Sequence, residues 1–233
     1  MVLRLIVSLG LLGGLVWIMR KDMGSIRSII KNSNKIFLAA ALLINIPLTM
    51  LMGFRLRLLF GGQKVSISMK DAVYLTLIGF FFNNFLPTAI GGDIAKAYYA
   101  SKRTNNKIAS YAAVLSDRLF GFIATMLIAA VGLIFIGKTL NNNSLLYAIS
   151  FVFFASVSVI FFLFKNKAGN QTFTGTGPIN KIKEKVYKLY SAINMYRDNP
   201  SFLLRIVLLS VFMQSCAIMT LSLIHISEPT RPY

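Results

Sequence analysis

Long apolar stretches dominate the sequence and limit the folds open to it more than any other feature. A helix needs about 20 mostly apolar residues to cross the hydrocarbon core of a bilayer, and six segments come close to or exceed that length. The sequence therefore predicts an all-α protein, a polytopic bundle of about six transmembrane helices. The predicted spans cover residues 2–19, 36–54, 72–87, 109–136, 145–164 and a segment from about 202 onward.

The composition excludes two other classes of protein. Apolar residues make up 56% of the chain and charged residues 14%, whereas about 25% of a soluble domain is charged. This balance excludes a soluble globular enzyme and an intrinsically disordered chain. The formal net charge is +18, but most basic residues lie in short loops at span ends, where a cytoplasmic bias is expected. We therefore expect a cell-membrane protein without a nucleic-acid partner.

The distribution of Lys and Arg predicts an orientation. The first, third and fifth loops (20–35, 91–110 and 165–200) hold sixteen of these residues, and the opposite side holds six. The positive-inside rule places the odd loops in the cytoplasm if all six segments cross fully. A re-entrant third segment, which Pro87 and the glycines after it permit, would change that assignment.

The last thirteen residues form a separate unit in our interpretation. Residues 221–231 read LSLIHISEPTR, a string that resembles the translation of a transposase-type sequencing adapter. We therefore expect residues 1–220 to be an incomplete transmembrane domain and residues 221–233 to be adapter-derived. The only histidine, His225, falls in this tail, and Cys216 is the only cysteine. We expect no metal site and no cofactor.

The fifth loop contains a predicted amphipathic helix at residues 179–196. Its apolar positions recur with a helical period, and its other face is basic. Such a helix is typical of a segment that lies on an anionic leaflet; ordinary positive-inside charge is the alternative. The apolar positions are Ile182, Val186, Leu189, Tyr190 and Ile193, and the basic ones are Lys181, Lys183, Lys185 and Lys188.

The third segment carries a predicted helix break. Asn83 and Asn84 follow a run of phenylalanines, and Pro87 comes next. Proline lacks an N–H and leaves a carbonyl one turn earlier without its helical partner. Gly91 and Gly92 then permit close approach of the backbone. Non-helical backbone at membrane depth is tolerated only where protein or a wet cavity surrounds it, so the pattern indicates a broken helix.

A new helix is expected to start at Asp93, with Asp93 as its N-cap and Lys96 in its first turn. A helix start inside the membrane presents free N–H groups, which suit an anionic group such as a lipid phosphate. Broken helices of this kind mark binding sites in transporters. The alternative is an interfacial turn in which Asp93 acts only as a cap.

The fourth span carries two charges, Asp117 and Arg118. Intramembrane charges cost roughly 2.5–3.5 kcal/mol each and usually face a partner or a cavity. Neighbouring residues on a helix point about 100° apart, so these two side chains need separate partners. Lys96, Arg55 and Arg57 are the candidate partners of Asp117; a position in the headgroup zone is the alternative. Small residues flank Asp117 at helical spacing and let another helix approach: Ala113, Gly121 and Thr125.

These residues resemble the lysylphosphatidylglycerol synthase transmembrane family, whose members are also described as flippase-like. The family pattern consists of three motifs: N-x-x-L-P, then G-G-D-x-x-R, then D-R-x-x-G. In this sequence the three motifs begin at Asn83, Gly91 and Asp117, respectively. Lys96 stands where the family usually has arginine. At the end of the second span the family has the sequence Arg-Trp-Arg. Here the sequence is Arg55-Leu56-Arg57, so Leu56 stands in place of the tryptophan. Members usually have about eight spans.

The resemblance implies a bundle that handles anionic lipids, and three functions stay open. The first is a translocase for an anionic phospholipid or a polyprenyl-linked sugar. The second is the membrane module of a phosphatidylglycerol lysyltransferase, with the transfer chemistry in a partner domain. The third is a scaffold for a glycosyltransferase. The candidate lipid path consists of Asn83, Asn84, Pro87, Gly91, Gly92, Asp93, Lys96, Asp117, Arg118, Arg55 and Arg57.

Overall fold

The computed structural model describes residues 35–85, 90–136 and 178–227, together with isolated positions elsewhere. The predicted first and fifth spans, and Pro87, lie outside the described residues. Residues 35–85, 90–136 and 178–227 form six α-helices and a short 3₁₀ turn at Met195–Asp198. The helices are α1 Lys35–Gly62, α2 Met69–Phe85, α3 Gly91–Thr104, α4 Lys107–Ile136, α5 Pro178–Asn194 and α6 Pro200–Ser227.

Three of these helices are long and apolar enough to cross a membrane: Lys35–Gly62, Lys107–Gly132 and Pro200–Leu223. They pack on one another, and α6 contacts both α1 and α4. The prediction of an all-helical membrane bundle is confirmed for the described residues. The predicted second span was too short, because α1 continues past Arg55 and Arg57 to Gly62. These two residues therefore lie within the helix and do not close it.

Polar residues define where the helices start. The Ser68 hydroxyl accepts the Asp71 N–H at 3.1 Å at the start of α2. The Asn106 side chain accepts the Ala109 N–H at 3.1 Å at the start of α4. At the start of α6, the Asn199 side chain accepts the Phe202 N–H at 3.1 Å. Each contact satisfies one of the backbone donors that a helix start leaves unpaired.

Helices α2 and α3 form an antiparallel hairpin. The Gly92 N–H, at the start of α3, donates to the Asn83 side chain near the end of α2. At the open end of the hairpin, Arg103 pairs with Asp71 and lies 5.2 Å from the centre of the Tyr74 ring. The late part of α2 is thus next to the early part of α3, and the early part of α2 is next to the late part of α3. The chain enters and leaves the hairpin at one end of the bundle.

This topology corrects the predicted parity of the loops. At 17 residues, α2 is about 25 Å long, less than the roughly 30 Å of a hydrocarbon core. Loop two, between α1 and α2, and the turn between α3 and α4 lie at the same end of the bundle, which we call the loop end. The third segment therefore follows the re-entrant alternative. The condition for the predicted orientation, full crossing by all six segments, is not met, and loops two and three lie at the same end.

An aromatic cluster at the loop end joins α1, α4 and α6. Tyr196 is 1% exposed, and its hydroxyl donates to the Leu59 carbonyl at 2.8 Å. Its ring stacks on Phe202 and meets Phe120 edge-on. Burial raises the pKa of the Tyr196 phenol, which keeps it a neutral hydrogen-bond donor. The cluster fixes the 3₁₀ turn and the start of α6 against the end of α1.

The predicted amphipathic helix is present as α5 and packs against α4. Ala192 is buried, and its carbonyl accepts a hydrogen bond of 2.7 Å from the Gln63 side chain. Leu189 is half-buried, but Val186 is exposed. The predicted apolar face is therefore only partly covered, and its contact with a leaflet stays a prediction.

Candidate functional site

A polar cavity of about 300 Å³ lies between α1, α2, α3, α4 and α6. It collects charged and amide side chains from five helices of an otherwise apolar bundle. Most of the residues predicted to form a lipid path line it. The lining residues are Met52, Arg55, Thr76, Gly79, Phe80, Asn83, Asp93, Lys96, Asp117, Arg118, Gly121, Phe122, Thr125 and Gln214.

Asp117 is the centre of the charge arrangement. Its Oδ1 accepts a hydrogen bond from Arg55 Nε at 2.8 Å, and its Oδ2 accepts one from Lys96 Nζ at 3.0 Å. Arg55 is 7% exposed and Lys96 is 6% exposed. One carboxylate from α4 therefore joins a guanidinium from α1 to an ammonium from α3. Such buried pairs are far more sensitive to loss of one partner than exposed pairs.

Small residues make room for the two cations. Gly121 lies one turn after Asp117, and a Cβ at this position would be 3.8 Å from Arg55 Nη1. Gly79 faces the stem of Lys96, with its Cβ position 3.5 Å from Lys96 Cδ. The Arg55 Nη1 also donates to the Ser210 hydroxyl at 2.9 Å. The predicted small-residue stripe on α4 thus serves a charged side chain as well as helix packing.

A second ion pair lies at the edge of the same cavity. Arg118 Nη1 is 2.7 Å from Asp93 Oδ2, and both side chains are partly exposed. Asp117 and Arg118 therefore have separate partners, as the helical step between neighbouring residues requires. With Arg55 and Lys96, the cavity holds three cations and two carboxylates. Its net charge of +1 favours an anion.

The helix break brings backbone close to backbone. The Gly92 N–H donates to Asn83 Oδ1 at 2.9 Å, and a Cβ on Gly92 would lie 2.2 Å from the Gly79 carbonyl oxygen. The predicted cap by Asp93 is wrong: Ile90 is the N-cap without a side-chain bond, and Asp93 is in the first turn of α3. Asn83 satisfies an N–H of the helix start from the neighbouring helix, which leaves Asp93 available to Arg118.

Four predicted site residues that the structure describes do not line this cavity. Asn84 is exposed, and its side chain bonds to the Phe80 carbonyl of its own helix at 3.1 Å. Gly91 and Gly92 are buried at the helix start without lining the cavity. Arg57 lines a different cavity, because a residue two positions from Arg55 points about 200° away. It is not a partner of Asp117.

Sequence reasoning missed several polar residues of the site. Ser210 and Gln214 are one turn apart on α6, and Thr76 lies on α2. Small polar residues in an apolar helix carry no distinctive pattern, since a serine or threonine often bonds its own backbone. Both hydroxyls do so here, Ser210 to Ile206 and Thr76 to Ala72. The described part of the chain contains no group of three or more His, Cys, Asp or Glu side chains arranged for a metal ion.

Most of the charged motif residues lie together around the polar cavity, and the family that these motifs resemble is also the one found by comparison. A family model described as the lysylphosphatidylglycerol synthase TM region matches residues 1–227. The chain belongs to this family. No curated protein and no solved structure matched it. The family match and the three apolar helices make the chain an integral membrane protein.

The family match extends past the predicted domain boundary at residue 220, and α6 runs to Ser227. The origin of the final residues stays a prediction. Within the family pattern, the lysine that replaces the usual arginine is the residue that reaches Asp117. Lysine keeps the positive charge but loses the planar, bidentate geometry of a guanidinium.

Proposed function

We propose that this protein is a multi-pass translocase of the plasma membrane that moves an anionic phospholipid or a lipid-linked sugar between leaflets. The observation that carries the proposal is the buried Arg55–Asp117–Lys96 network in the wall of a polar cavity. A lipid headgroup needs a polar route through the hydrocarbon core, and a cavity of this kind provides one.

The depth of the charges supports a functional role. Asp117 lies about ten residues, or about 15 Å, into the candidate span Lys107–Gly132. Ionisable groups at such depth are costly and typically line substrate paths. A purely structural role requires only a balanced pair. This cavity instead carries an excess cation, which favours the phosphate of a lipid headgroup.

Unused donors support the same role. A lysine ammonium has three N–H groups and a guanidinium has five. Lys96 makes one hydrogen bond and Arg55 two to residues that the structure describes. The remaining donors are available to a phosphate oxygen. We expect Lys96 and Arg55 to hold the phosphate while Asp117 keeps both cations in position.

A lipid translocation assay tests the proposal. The purified chain is reconstituted into vesicles with fluorescent phosphatidylglycerol, and translocation is followed as the fraction of label that dithionite quenches. Lys96→Met removes a charged hydrogen-bond donor at similar length, and we expect translocation to slow about tenfold or more. Lys96→Arg, which restores the residue usual in the family pattern, should retain the rate.

Lys102→Met is the matched control, because Lys102 lies six residues later on α3 and is exposed. It should translocate at the parent rate. A folded Lys96→Met protein that also translocates at the parent rate would remove the support for a path through this cavity. The scaffold function would then be favoured, since it predicts that the charges affect only the yield of folded protein.

The family description favours one second candidate, the membrane module of a phosphatidylglycerol lysyltransferase. On this reading, the transfer of lysine takes place in a partner domain and the cavity receives the lipid product. Incubating the purified chain with lysyl-tRNA and phosphatidylglycerol should then give no lysylated lipid unless the partner domain is added. Lysyl transfer by the chain alone would contradict this division of labour.

A further inference from the structure

A second cavity, of about 720 Å³, lies at the loop end between the end of α1, loop two and the start of α6. It shares no lining residue with the polar cavity. The two cavities lie on different sides of α1: Arg55 points into the polar cavity and Arg57 into this one. We call it the loop-end groove. Its volume is in the range of pockets that hold a small-molecule ligand.

The groove combines apolar and basic side chains. Phe54 and Leu58 line its apolar part together with Phe202 from α6, while Arg57 and Lys64 supply two cations. With 28 residues, α1 is about 42 Å long, which exceeds the roughly 30 Å of the hydrocarbon core. Helix α1 is therefore long enough to carry Lys64 into the headgroup region while Phe54, about three turns earlier, lies nearer the acyl chains.

The two cations have no counter-charge in the part of the chain that the structure describes. Arg57 and Lys64 are exposed and form no ion pair with a described residue. The basic residue Lys64 also occupies a left-handed backbone position, with φ at 57°, where glycine is usually favoured. The sequence thus places a cation beside the groove at a position where local backbone preference disfavours lysine.

We propose that the loop-end groove binds one anionic phospholipid of the adjacent leaflet. The phosphate lies between Arg57 and Lys64, and an acyl chain lies along Phe54, Leu58 and Phe202. Two basic groups above an apolar wall complement a lipid that is anionic at one end and apolar at the other. This binding does not depend on translocation, because none of the residues that form it belongs to the polar cavity.

Filling the groove gives the first test. A Cβ at Gly61 would have no neighbour within 4 Å, and Gly61 lines the groove, so Gly61→Phe puts a ring into it without a clash at the backbone. Gly132→Phe is the matched control, since its Cβ position on α4 is equally open. The full chain in nanodiscs is labelled with photoactivatable phosphatidylglycerol, and the labelled peptides are identified by mass spectrometry. We expect labelling at Phe54 and Phe202 to fall at least fivefold in Gly61→Phe alone.

Removing the charges gives the second test. Each basic side chain at a lipid surface strengthens anionic-lipid binding about fivefold, so Arg57→Gln with Lys64→Gln should weaken it about 25-fold. Lys70→Gln with Lys107→Gln removes the same charge near the loop end and should leave labelling unchanged. Neither control residue lines the groove. Because the Arg57 and Lys64 side chains are exposed, this variant also provides a test if Gly61→Phe fails to fold.

Three results separate the possible ligands and sites. Labelling that inorganic phosphate does not displace, and that is at least tenfold weaker with a phosphatidylcholine probe, supports the proposal. Equal labelling by the two lipids would overturn it, as would displacement by free phosphate. Folded Lys96→Met protein should keep its labelling in the groove even where translocation is slowed, because Lys96 does not line the groove. Failure of the translocase proposal would therefore not be mistaken for failure of this one.

Discussion

At the scale of single residues, Asp117 determines the charge arrangement of the polar cavity. It is the carboxylate that both Arg55 and Lys96 contact. Helical geometry alone predicts that Asp117 and Arg118 need different partners, and two of the three candidate partners of Asp117 are the ones observed. The third candidate, Arg57, does not contact Asp117, because residues two apart on a helix point to nearly opposite sides.

Asp117→Asn is expected to destabilise the protein by about 3–5 kcal/mol, because two buried cations lose the carboxylate that neutralises them. The free energy of unfolding in mixed micelles of mild detergent and SDS measures this. Glu184→Gln is the control, since it also removes a paired carboxylate but at an exposed site on α5. It should leave the unfolding curve unchanged. Equal stability of Asp117→Asn and the parent would mean that the network is not formed in the folded protein.

Gly92→Ala is expected to cost about 1–3 kcal/mol through overpacking. The added Cβ would lie 2.2 Å from the Gly79 carbonyl oxygen and 2.4 Å from Asn83 Oδ1, so α3 must move away from α2. Gly132→Ala, where the Cβ meets nothing within 4 Å, should be neutral or slightly stabilising. Thermal unfolding of both purified variants compares them. A Gly92→Ala protein as stable as Gly132→Ala would show that the two helices are not in close contact.

At the scale of elements, the α2–α3 hairpin is the unit that shapes the site. It brings Asn83 and Gly92 together at its closed end and carries Lys96 to Asp117. The sequence pattern predicts the ends of the described helices to within three residues, except that α1 continues eight residues past its predicted end. Pro87 with the following glycines indicates the break. Hydropathy measures only the length of an apolar run, so it leaves open whether the chain continues across the membrane or returns. The ion pair between Arg103 and Asp71 joins residues too far apart in the chain to be predicted from local pattern.

The hairpin predicts that loop two and the turn between α3 and α4 are on one side of the membrane. Single cysteines at Ser66 and Asn105, in a Cys216→Ser background, should react with a membrane-impermeant maleimide from the same side. Basic residues at the ends of the hairpin and on α5 share this end of the bundle, and the positive-inside rule then makes it cytoplasmic. Intact spheroplasts should therefore protect both cysteines until they are opened. Opposite accessibility of the two cysteines would contradict the hairpin.

At the scale of the whole molecule, the described helices form an apolar bundle that surrounds a small charged cavity and carries a basic groove at the loop end. Composition and apolar length predict the bundle, and the spacing of three short motifs predicts the family. The contributions of Ser210 and Gln214 could not be predicted. They come from α6, more than 90 residues beyond Asp117, and only the packing of α6 on α1 and α4 brings them to the cavity.

Blocking the polar cavity within a single folded sample tests the central claim most directly. Thr125 lines the cavity on α4, whereas Leu127 does not and is exposed. Cysteines at these positions, in the Cys216→Ser background, are modified in reconstituted vesicles with a bulky methanethiosulfonate. Modification at Thr125→Cys should stop phosphatidylglycerol translocation, and reduction should restore it; modification at Leu127→Cys should change nothing. Translocation that continues at the parent rate through a fully modified Thr125→Cys protein would contradict a lipid path through the cavity.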